Sequence, residues 1–250
     1  RYKEALDSFT QANDLSGIGF TYCRQKEYDK AIQYAQSAND LSLMGHIFLT
    51  MGDLNQAEGY FMQANDLSGL GFIKLNNNQY DEAIDLFKKA NDSSGLGFVY
   101  AQMSDYQDAE GYFKQANDKS GLGRLALKRK QFKEAAAYFT AANDNDGLGD
   151  LYWQLRDFDR AVSYFKGEGN DVKVVEALRE KKDNGLTPEG KPISGGEVAI
   201  AYARNVIAQG RFVESLHLEI GHIYFDQDKY DEALNEYEEV LSGSSYYAAD

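Results

Sequence analysis

Three histidines and a glycine-rich segment have residue types that could support chemistry. Residues 185–191 match the glycine and lysine spacing of a phosphate-binding loop, but Pro192 stands where that motif needs Ser or Thr to hold magnesium. No stretch typical of a buried strand precedes the segment, as the motif requires. His217 and His222 are five residues apart, so on a helix they would not share a face, and His46 is distant in sequence. We therefore predict neither a nucleotide site nor a zinc site.

The single cysteine and a repeated Asn-Asp pair are the other candidates for chemistry. Cys23 lacks a recognisable nucleophile motif around it and occupies a position that Leu49 and Leu75 take elsewhere, so we predict that it packs in the core. Ala-Asn-Asp occurs six times in register, from residues 12–14 to 142–144. Aligned carboxylates could bind calcium, but each ion would need more converging oxygens. Asn ending one helix and Asp capping the next explain the pair more simply. We therefore predict no enzyme activity, no cofactor and no metal.

A repeat of 26 residues determines where these side chains are placed. Each copy begins with an aromatic residue or Leu, has Ala three positions later, and in most copies has Phe four positions after that. Ala35 takes the place of this Phe in one copy. A fixed period of this size is typical of a stacked array rather than of a single globular core. The seven copies start at Tyr2, Tyr28, Leu54, Tyr80, Tyr106, Phe132 and Phe158.

Each copy has the pattern of two short helices. In the copy that begins at Tyr106, apolar residues recur at i, i+3, i+7 and i+10, which is one face of an amphipathic helix. The segment before it has an apolar stripe of its own, made of Leu96, Tyr100 and Met103. Glycines flank the Leu of this segment in most copies, and each weakens an isolated helix by roughly 1 kcal/mol. We therefore expect neighbouring helices to approach closely at these glycines.

These motifs resemble the tetratricopeptide repeat (TPR), in which Leu-Gly-x-x-Tyr of a first helix is followed by Ala-x-x-x-Phe-x-x-Ala of a second. The residues that carry the resemblance are Leu96, Gly97, Tyr100, Ala109, Phe113 and Ala116; Leu148, Gly149, Tyr152, Ala161 and Phe165; and Ile220, Gly221, Tyr224, Ala233 and Tyr237. The repeats have 26 residues instead of the 34 of the family and lack its helix-ending Pro. The helical arrays of trafficking coats are a second, weaker resemblance. Both imply an all-α solenoid of short helix-turn-helix repeats.

The charge and composition limit the classes of partner. A net charge of -14 repels a phosphate backbone, so we expect no binding to nucleic acid. No apolar run is long enough to span a bilayer, so we expect no membrane insertion. A single cysteine and the lack of a leader before Tyr2 favour a cytoplasmic protein. Because Arg1 lies within a repeat, we expect a subunit or fragment of a larger complex.

The register of the repeats predicts three regions. Residues 1–166 form the tandem 26-residue repeats, and residues 167–196 hold a degenerate helix at about 172–181 followed by a Pro/Gly loop at 183–196. Residues 197–250 form a C-terminal segment with helices at about 197–209, 212–226 and 230–241. A frayed tail is expected from Ser242 onward.

The position after the second glycine of each first helix supplies the candidate binding residues. In the TPR family this position faces the concave groove where peptides bind. Here it holds Phe20, His46, Phe72, Phe98 and Arg124, followed by Asp150. The resemblance thus implies an aromatic ladder that grades into charge. The alternative is that these Phe side chains only fill space between tightly stacked units.

A basic cluster adds Lys128 to these candidates. Such a cluster could receive an acidic peptide or a terminal carboxylate, as in some family members. The alternative is that the cations end a helix, where they interact favourably with its dipole. The cluster consists of Lys119, Arg124, Lys128, Arg129, Lys130 and Lys133.

The repeat pattern favours a non-catalytic function. Repetition creates an extended surface, and no pair of residues forms an acid/base or nucleophile arrangement. We predict a protein–protein interaction scaffold whose partners are other proteins or peptides. The alternative function is a peptide-binding receptor that uses a concave aromatic groove at Phe20, Phe72 and Phe98.

Overall fold

The structure is a computed structural model that describes residues 2–181, 193–210 and 212–244. These residues contain seventeen α-helices, and consecutive helices pack in chain order from α1 to α11 and from α13 to α17. The all-α solenoid of short hairpins is therefore confirmed. The helices are α1 Tyr2–Gln11, α2 Leu15–Arg24, α3 Tyr28–Ala38, α4 Leu41–Met51, α5 Leu54–Ala64, α6 Leu67–Asn76, α7 Tyr80–Ala90, α8 Ser93–Gln102, α9 Tyr106–Gln115, α10 Lys119–Lys128, α11 Phe132–Ala142, α12 Asn145–Gln154, α13 Phe158–Gly167, α14 Asp171–Glu180, α15 Gly195–Ile207, α16 Val213–Asp226 and α17 Tyr230–Ser244.

The chain forms two compact units, Arg1–Gly147 and Leu148–Asp250. In the first unit, the first helices of the hairpins are α2, α4, α6, α8 and α10, and each packs on the second helix that follows it: α3, α5, α7, α9 or α11. All seven predicted repeat starts coincide with the first residue of a helix.

The Asn-Asp pairs end one helix and begin the next, as predicted. Asn39, Asn65 and Asn91 have φ of 53° or 54°, the left-handed conformation that Asn tolerates at a helix end. The Asp that follows caps the next helix: Asp66 accepts a hydrogen bond from the Gly69 amide at 2.9 Å. The side chain that could have been a calcium ligand is thus engaged with the backbone.

The glycines of the first helices provide space for a phenylalanine ring. Phe113 of α9 is 1% exposed and lies between α8 and α10. A Cβ on Gly97 would lie 2.6 Å from this ring, and one on Gly121 would lie 2.4 Å from it. Both distances are shorter than real Cβ contacts, so only glycine fits. The predicted close approach of helices is confirmed, and the contact that requires it is with Phe.

One junction in the first unit is built differently. Where other second helices have Phe, α3 has Ala35, which is fully buried. The residue of α4 that faces Ala35 is Leu43. The equivalent residue of α10, which faces Phe113, is Gly121. Leu43 is buried, and its Cδ2 lies 3.0 Å from the place of a Cβ on Gly19. The Leu therefore fills the volume that the Phe ring occupies elsewhere.

Two predictions about single side chains in the first unit have different outcomes. Cys23 is buried and lies 3.9 Å from the Thr50 hydroxyl, as a core residue would, and burial raises the pKa of its thiol. Met103 was predicted on the packed stripe of α8, but it follows the helix as its C-cap and is exposed. Fully buried Val99 takes part in that core instead.

In the second unit, the degenerate helix predicted at about 172–181 is α14. Its Val175 packs with Ala199 and Ala203 of α15 and with residues of α16. The predicted Pro/Gly loop is wrong at its end, because α15 already begins at Gly195. There Ser194 and Glu197 form a reciprocal capping box. The rest of that loop, with both prolines and the phosphate-loop-like segment, lies outside the described residues.

The last two predicted helices are present as α16 and α17. They pack on each other as a further hairpin. The tail predicted from Ser242 is wrong for its first residues, since α17 continues to Ser244, and its remainder lies outside the described residues.

Candidate partner-binding surface

The first helices line the inner side of the first unit. Successive first helices contact one another (α2 with α4, α4 with α6, α6 with α8, and α8 with α10). The layer in which neighbouring helices approach most closely is the inner layer of a curved array. The Arg24 guanidinium of α2 lies 3.6 Å from the Asp146 carboxylate at the start of α12. We call the side of the first helices that carries Phe72 and Phe98 the inner face.

Phe72 and Phe98 form the aromatic part of this inner face. Their ring centroids are 6.1 Å apart, on the neighbouring helices α6 and α8. Each ring also packs edge-on against a buried Phe of the following helix: Phe72 on Phe87 at 5.0 Å and Phe98 on Phe113 at 5.1 Å. Both side chains are only half-buried. They thus both support the core and leave ring surface exposed for a partner.

These two rings border a pocket of about 300 Å³. Its apolar lining comes from α6, α8 and α10 together with the edge of Phe113. Arg124 and Lys128, both exposed and one turn apart on α10, provide its cationic rim. The pocket is lined by Phe72, Leu75, Phe98, Ala101, Gln102, Phe113, Gly121, Arg124, Leu125 and Lys128.

The two cations of this rim retain capacity for an anion. The Lys128 ammonium donates one hydrogen bond to the Ala101 carbonyl, at 2.9 Å, near the carboxyl end of α8. An ammonium has three donors, so this contact leaves others available. The Arg124 guanidinium lies 3.6 Å from the Asp144 carboxylate, and its side chain remains half-exposed. A carboxylate entering the pocket would meet both charges.

A family model for the tetratricopeptide repeat matches residues 41–69, 145–167 and 215–242. These segments cover α4–α5 and α12–α13 and most of α16–α17, and each pair is one first and one second helix. This chain is a TPR-like repeat protein. The crystal structure of BtubC (BKLC) from P. vanneervenii is similar at 12% identity over 100% of this chain and 89% of that chain, with a TM-score of 0.20. That overlap is too weak to inform fold or function. No curated protein sequence matches the chain.

Four of the six candidate residues of this TPR-like chain meet in the pocket: Phe72, Phe98, Arg124 and Lys128. The other two lie on the same row of first helices but outside it. Phe20 of α2 is 52% exposed. His46 of α4 packs edge-on against Phe61 at 5.0 Å, and its Nε2 lies 4.0 Å from the Asp66 carboxylate. Five of the candidates therefore lie in one row, and this pocket adjoins three of them together with Lys128.

The basic cluster of the sequence does not form a single surface. Arg129 turns away from the pocket to pair with Glu110 of α9, at 3.2 Å. A second cation, Lys114, hydrogen-bonds the same Glu110 at 2.6 Å, and this bond, with the charges of both cations, lowers the pKa of the Glu110 carboxyl. Lys130 adopts the left-handed conformation in the turn after α10. Only Arg124 and Lys128 of the cluster line the pocket.

Six of the ten residues that line the pocket were not among the candidates, and three of these six lie about one helical turn beyond a candidate. Leu75 follows Phe72 by three positions, and Ala101 and Gln102 follow Phe98 by three and four. Residues at these spacings share a helix face. Extending the predicted row by one helical turn would therefore have found them.

Among the described residues, no group of three or more His, Cys, Asp or Glu side chains could hold a metal ion. None of the described helices is both long and apolar enough to cross a membrane.

Proposed function

We propose that this TPR-like chain is a non-catalytic receptor that binds an extended segment of a partner protein along the inner face of its first unit. The main observation behind the proposal is that Phe72, Phe98, Arg124 and Lys128 line the same open pocket. The half-exposed rings beside two exposed cations support binding in addition to packing between repeats. TPR repeats in general mediate binding between proteins.

The chemistry of the pocket indicates the kind of segment. An aromatic or branched apolar side chain fits between Phe72 and Phe98, because ring faces and edges gain from offset and edge-on contacts. An acidic side chain or a terminal carboxylate in the same pocket fits Arg124 and Lys128. The preferred ligand is therefore an extended peptide with an apolar residue followed closely by an acidic one.

A broader scaffold function is the second candidate. A further depression of about 370 Å³ lies on α5, α6 and α7 and includes Met62, Leu70 and Leu86. Met62 is exposed although it is large and apolar. A partner that covered this depression would contact helices outside the row of first-helix residues, as expected of a subunit held within a larger assembly. We place either function in the cytoplasm, where a reduced Cys23 is stable.

Selection from a random peptide library, followed by fluorescence anisotropy on the enriched peptides, tests the proposal. We expect enriched peptides to carry an apolar residue followed by an acidic residue or a carboxyl terminus. Lys128→Glu should weaken their binding at least tenfold, about 1.4 kcal/mol, because it places a negative charge beside the acidic group of the bound peptide. Lys133→Glu makes the same charge change on α11 and should leave the affinity within about twofold.

Two outcomes would contradict the receptor proposal. Peptides that bind Lys128→Glu and wild type equally would show that the pocket is not used. Loss of binding in Met62→Asp, with binding retained in Lys128→Glu and Phe98→Ala, would instead favour the scaffold function. Circular dichroism on every variant separates lost binding from lost fold.

A further inference from the structure

A pair of stacked aromatic rings connects the first and second helix in most hairpins of the array. Tyr22 of α2 stacks on Tyr34 of α3, with ring centroids 5.5 Å apart and planes 16° from parallel. The residues at multiples of 26 further along the chain stack in the same way. These further pairs are Phe48–Tyr60, Tyr100–Tyr112 and Tyr152–Tyr164, at 5.3, 5.2 and 5.5 Å.

The hairpin of α6 and α7 lacks both rings. Its two positions hold Lys74 and Leu86, whereas the hairpin of α10 and α11, which also has no stacked pair, keeps one ring in Tyr138. Lys74 and Leu86 both line the depression of about 370 Å³ on α5, α6 and α7. The depression therefore lies where other hairpins have an aromatic pair.

The missing rings leave apolar surface uncovered. Leu70 of α6 is half-buried, although the residue at its position is buried in five other first helices, as Ile18, Met44, Leu96, Leu122 and Leu148. In three hairpins, the aromatic residue of the second helix packs against the core cluster that contains this apolar residue: Tyr60 with Met44, Tyr112 with Leu96 and Tyr138 with Leu122. Described hairpins lie on both sides of α6 and α7, so this exposure does not come from an end of the array.

A cation accompanies the aromatic pair in two hairpins. The Lys30 ammonium lies 5.2 Å from the centroid of the Tyr22 ring, and the Arg160 guanidinium lies 4.4 Å from that of Tyr152. The equivalent residue of α7 is Glu82, which is exposed and lines the depression. An entering ring would thus find a carboxylate at the place where other hairpins supply a cation.

The other charges of the depression also favour a basic partner. The Lys74 ammonium lies 3.3 Å from the Glu58 carboxylate and 3.8 Å from the Glu82 carboxylate. Asp85 and Lys89 complete the charged lining, so three carboxylates stand against two ammonium groups. A basic segment would be attracted, and a second copy of a chain with a net charge of -14 would be repelled.

We propose that this depression binds an aromatic side chain of a partner protein that has Arg or Lys next to it in sequence. The ring occupies the place of the missing pair and contacts the Met62 thioether, Leu70 and Leu86, since sulfur and apolar groups pack favourably on rings. The neighbouring cation pairs with Glu82 or Asp85. The site gives the scaffold function a defined contact and does not depend on the pocket of the receptor proposal.

Binding of a labelled peptide, Gly-Ser-Gly-Arg-Tyr-Arg-Gly-Ser-Gly, to the full chain tests this proposal. Methyl NMR of protein labelled with ¹³C at the methionine methyl groups locates the peptide, because the chain has four Met and Met62 lines the depression. We expect the Met62 signal, assigned with Met62→Leu, to shift, while the signals of exposed Met51 and Met103 stay in place. By fluorescence anisotropy, peptides with Ala for Tyr, or with Glu for both Arg, should bind at least tenfold more weakly.

The other hairpins supply a matched variant that fills the depression. Lys74→Tyr combined with Leu86→Tyr restores the stacked pair and should lower the affinity for the Arg-Tyr-Arg peptide at least tenfold. Lys128→Glu changes the pocket of the receptor proposal and should leave this affinity within about twofold. Should the double variant fail to fold by circular dichroism, Met62→Lys changes only an exposed side chain. It should weaken binding about fivefold or more, because it places a cation beside those of the peptide.

Four results would overturn the proposal. The first is equal affinity for the Tyr and Ala peptides. The second is unchanged affinity in the folded variant with the restored pair, or in Met62→Lys. The third is a shift of the Met51 or Met103 signal without one at Met62, since the peptide would then bind elsewhere. The fourth is a wild-type dimer, seen by analytical ultracentrifugation, that the restored pair dissociates, since a second copy would then be the occupant.

Discussion

The junction at α9 and the junction at α3 fill the same space from opposite sides. At α9, the second helix supplies a large ring, Phe113, and the first helices on either side supply Gly97 and Gly121. At α3, the second helix supplies only Ala35, and the next first helix supplies Leu43. The helices cap and stack in the same way at both places. What the repeat maintains is therefore the total volume at the junction, and the identity of the residue that supplies it can change.

The largest expected effect comes from removing the ring at the first of these junctions. Phe113→Ala deletes a side chain that is 1% exposed and held between two glycines that have no side chains to fill the space. We expect a loss of about 4 kcal/mol in the free energy of unfolding. Urea denaturation followed by circular dichroism measures it. Phe20→Ala, at a half-exposed site, serves as the control and should cost below about 1 kcal/mol.

Converting the α9 junction into the α3 type tests the comparison directly. Phe113→Ala combined with Gly121→Leu reproduces the pairing of Ala35 with Leu43. Gly121→Leu alone would collide with the ring and should cost about 3 kcal/mol. Because each change relieves the problem made by the other, we expect a favourable coupling of about 3 kcal/mol in a double-mutant cycle. Additive losses would show that junction volume is not what the repeat maintains.

A smaller disturbance of a junction should still be measurable. Gly95→Ala would place a methyl group 2.2 Å from the Phe87 ring, which is fully buried and cannot move away easily. The gain in helix propensity, about 1 kcal/mol, does not offset this collision. We expect a net loss of about 2 kcal/mol in thermal or urea unfolding. An unchanged stability would mean that the helices can separate at little cost.

Much of this fold could be predicted from the sequence because the period fixes the register. The repeat starts at Tyr28 and Tyr106 coincide with helix starts, and the row that contains Phe72 and Phe98 follows from the same register. The complementarity of Ala35 and Leu43 could not be predicted. The sequence shows that both depart from the Phe and Gly of the other repeats, but it does not show that the two residues face each other. The contact of Lys128 with the Ala101 carbonyl depends in the same way on the packing of two helices.

The error at the start of α15 has a different cause. The pattern Ser194-x-x-Glu197 predicts a capping box, but the two glycines between these residues suggested a loop. Gly195 is required there by space, because a Cβ would lie 2.4 Å from the Arg179 carbonyl oxygen. Composition therefore favoured a loop where close packing was the reason for the glycine.

A helical glycine with open space around it should behave in the opposite way. Gly111 lies inside α9. A Cβ added there would have no atom within 4 Å other than those of adjacent residues and of the backbone of its own helix. Gly111→Ala adds helix propensity without a collision, so we expect a gain of about 1 kcal/mol. The matched measurement is Gly95→Ala in the same urea titration. A loss of stability at Gly111 would contradict the view that Gly95 is required by its contact with the Phe87 ring.

The smallest prediction concerns a contact that both junctions share. Ser94 of α8 donates a hydrogen bond to the Asp118 carboxylate at 2.9 Å, and Ser16 of α2 donates one to Asp40 at 2.8 Å. Each Asp also caps its own helix, so the Ser orients a cap that is already formed. We expect Ser94→Ala and Ser16→Ala to cost about 1 kcal/mol or less each. Equal losses of stability in urea unfolding would show that the two junctions differ in their apolar side chains but share the same polar contact. A loss for Ser94→Ala alone would show that replacing Phe by Ala35 and Leu43 also changed how the next helix is capped.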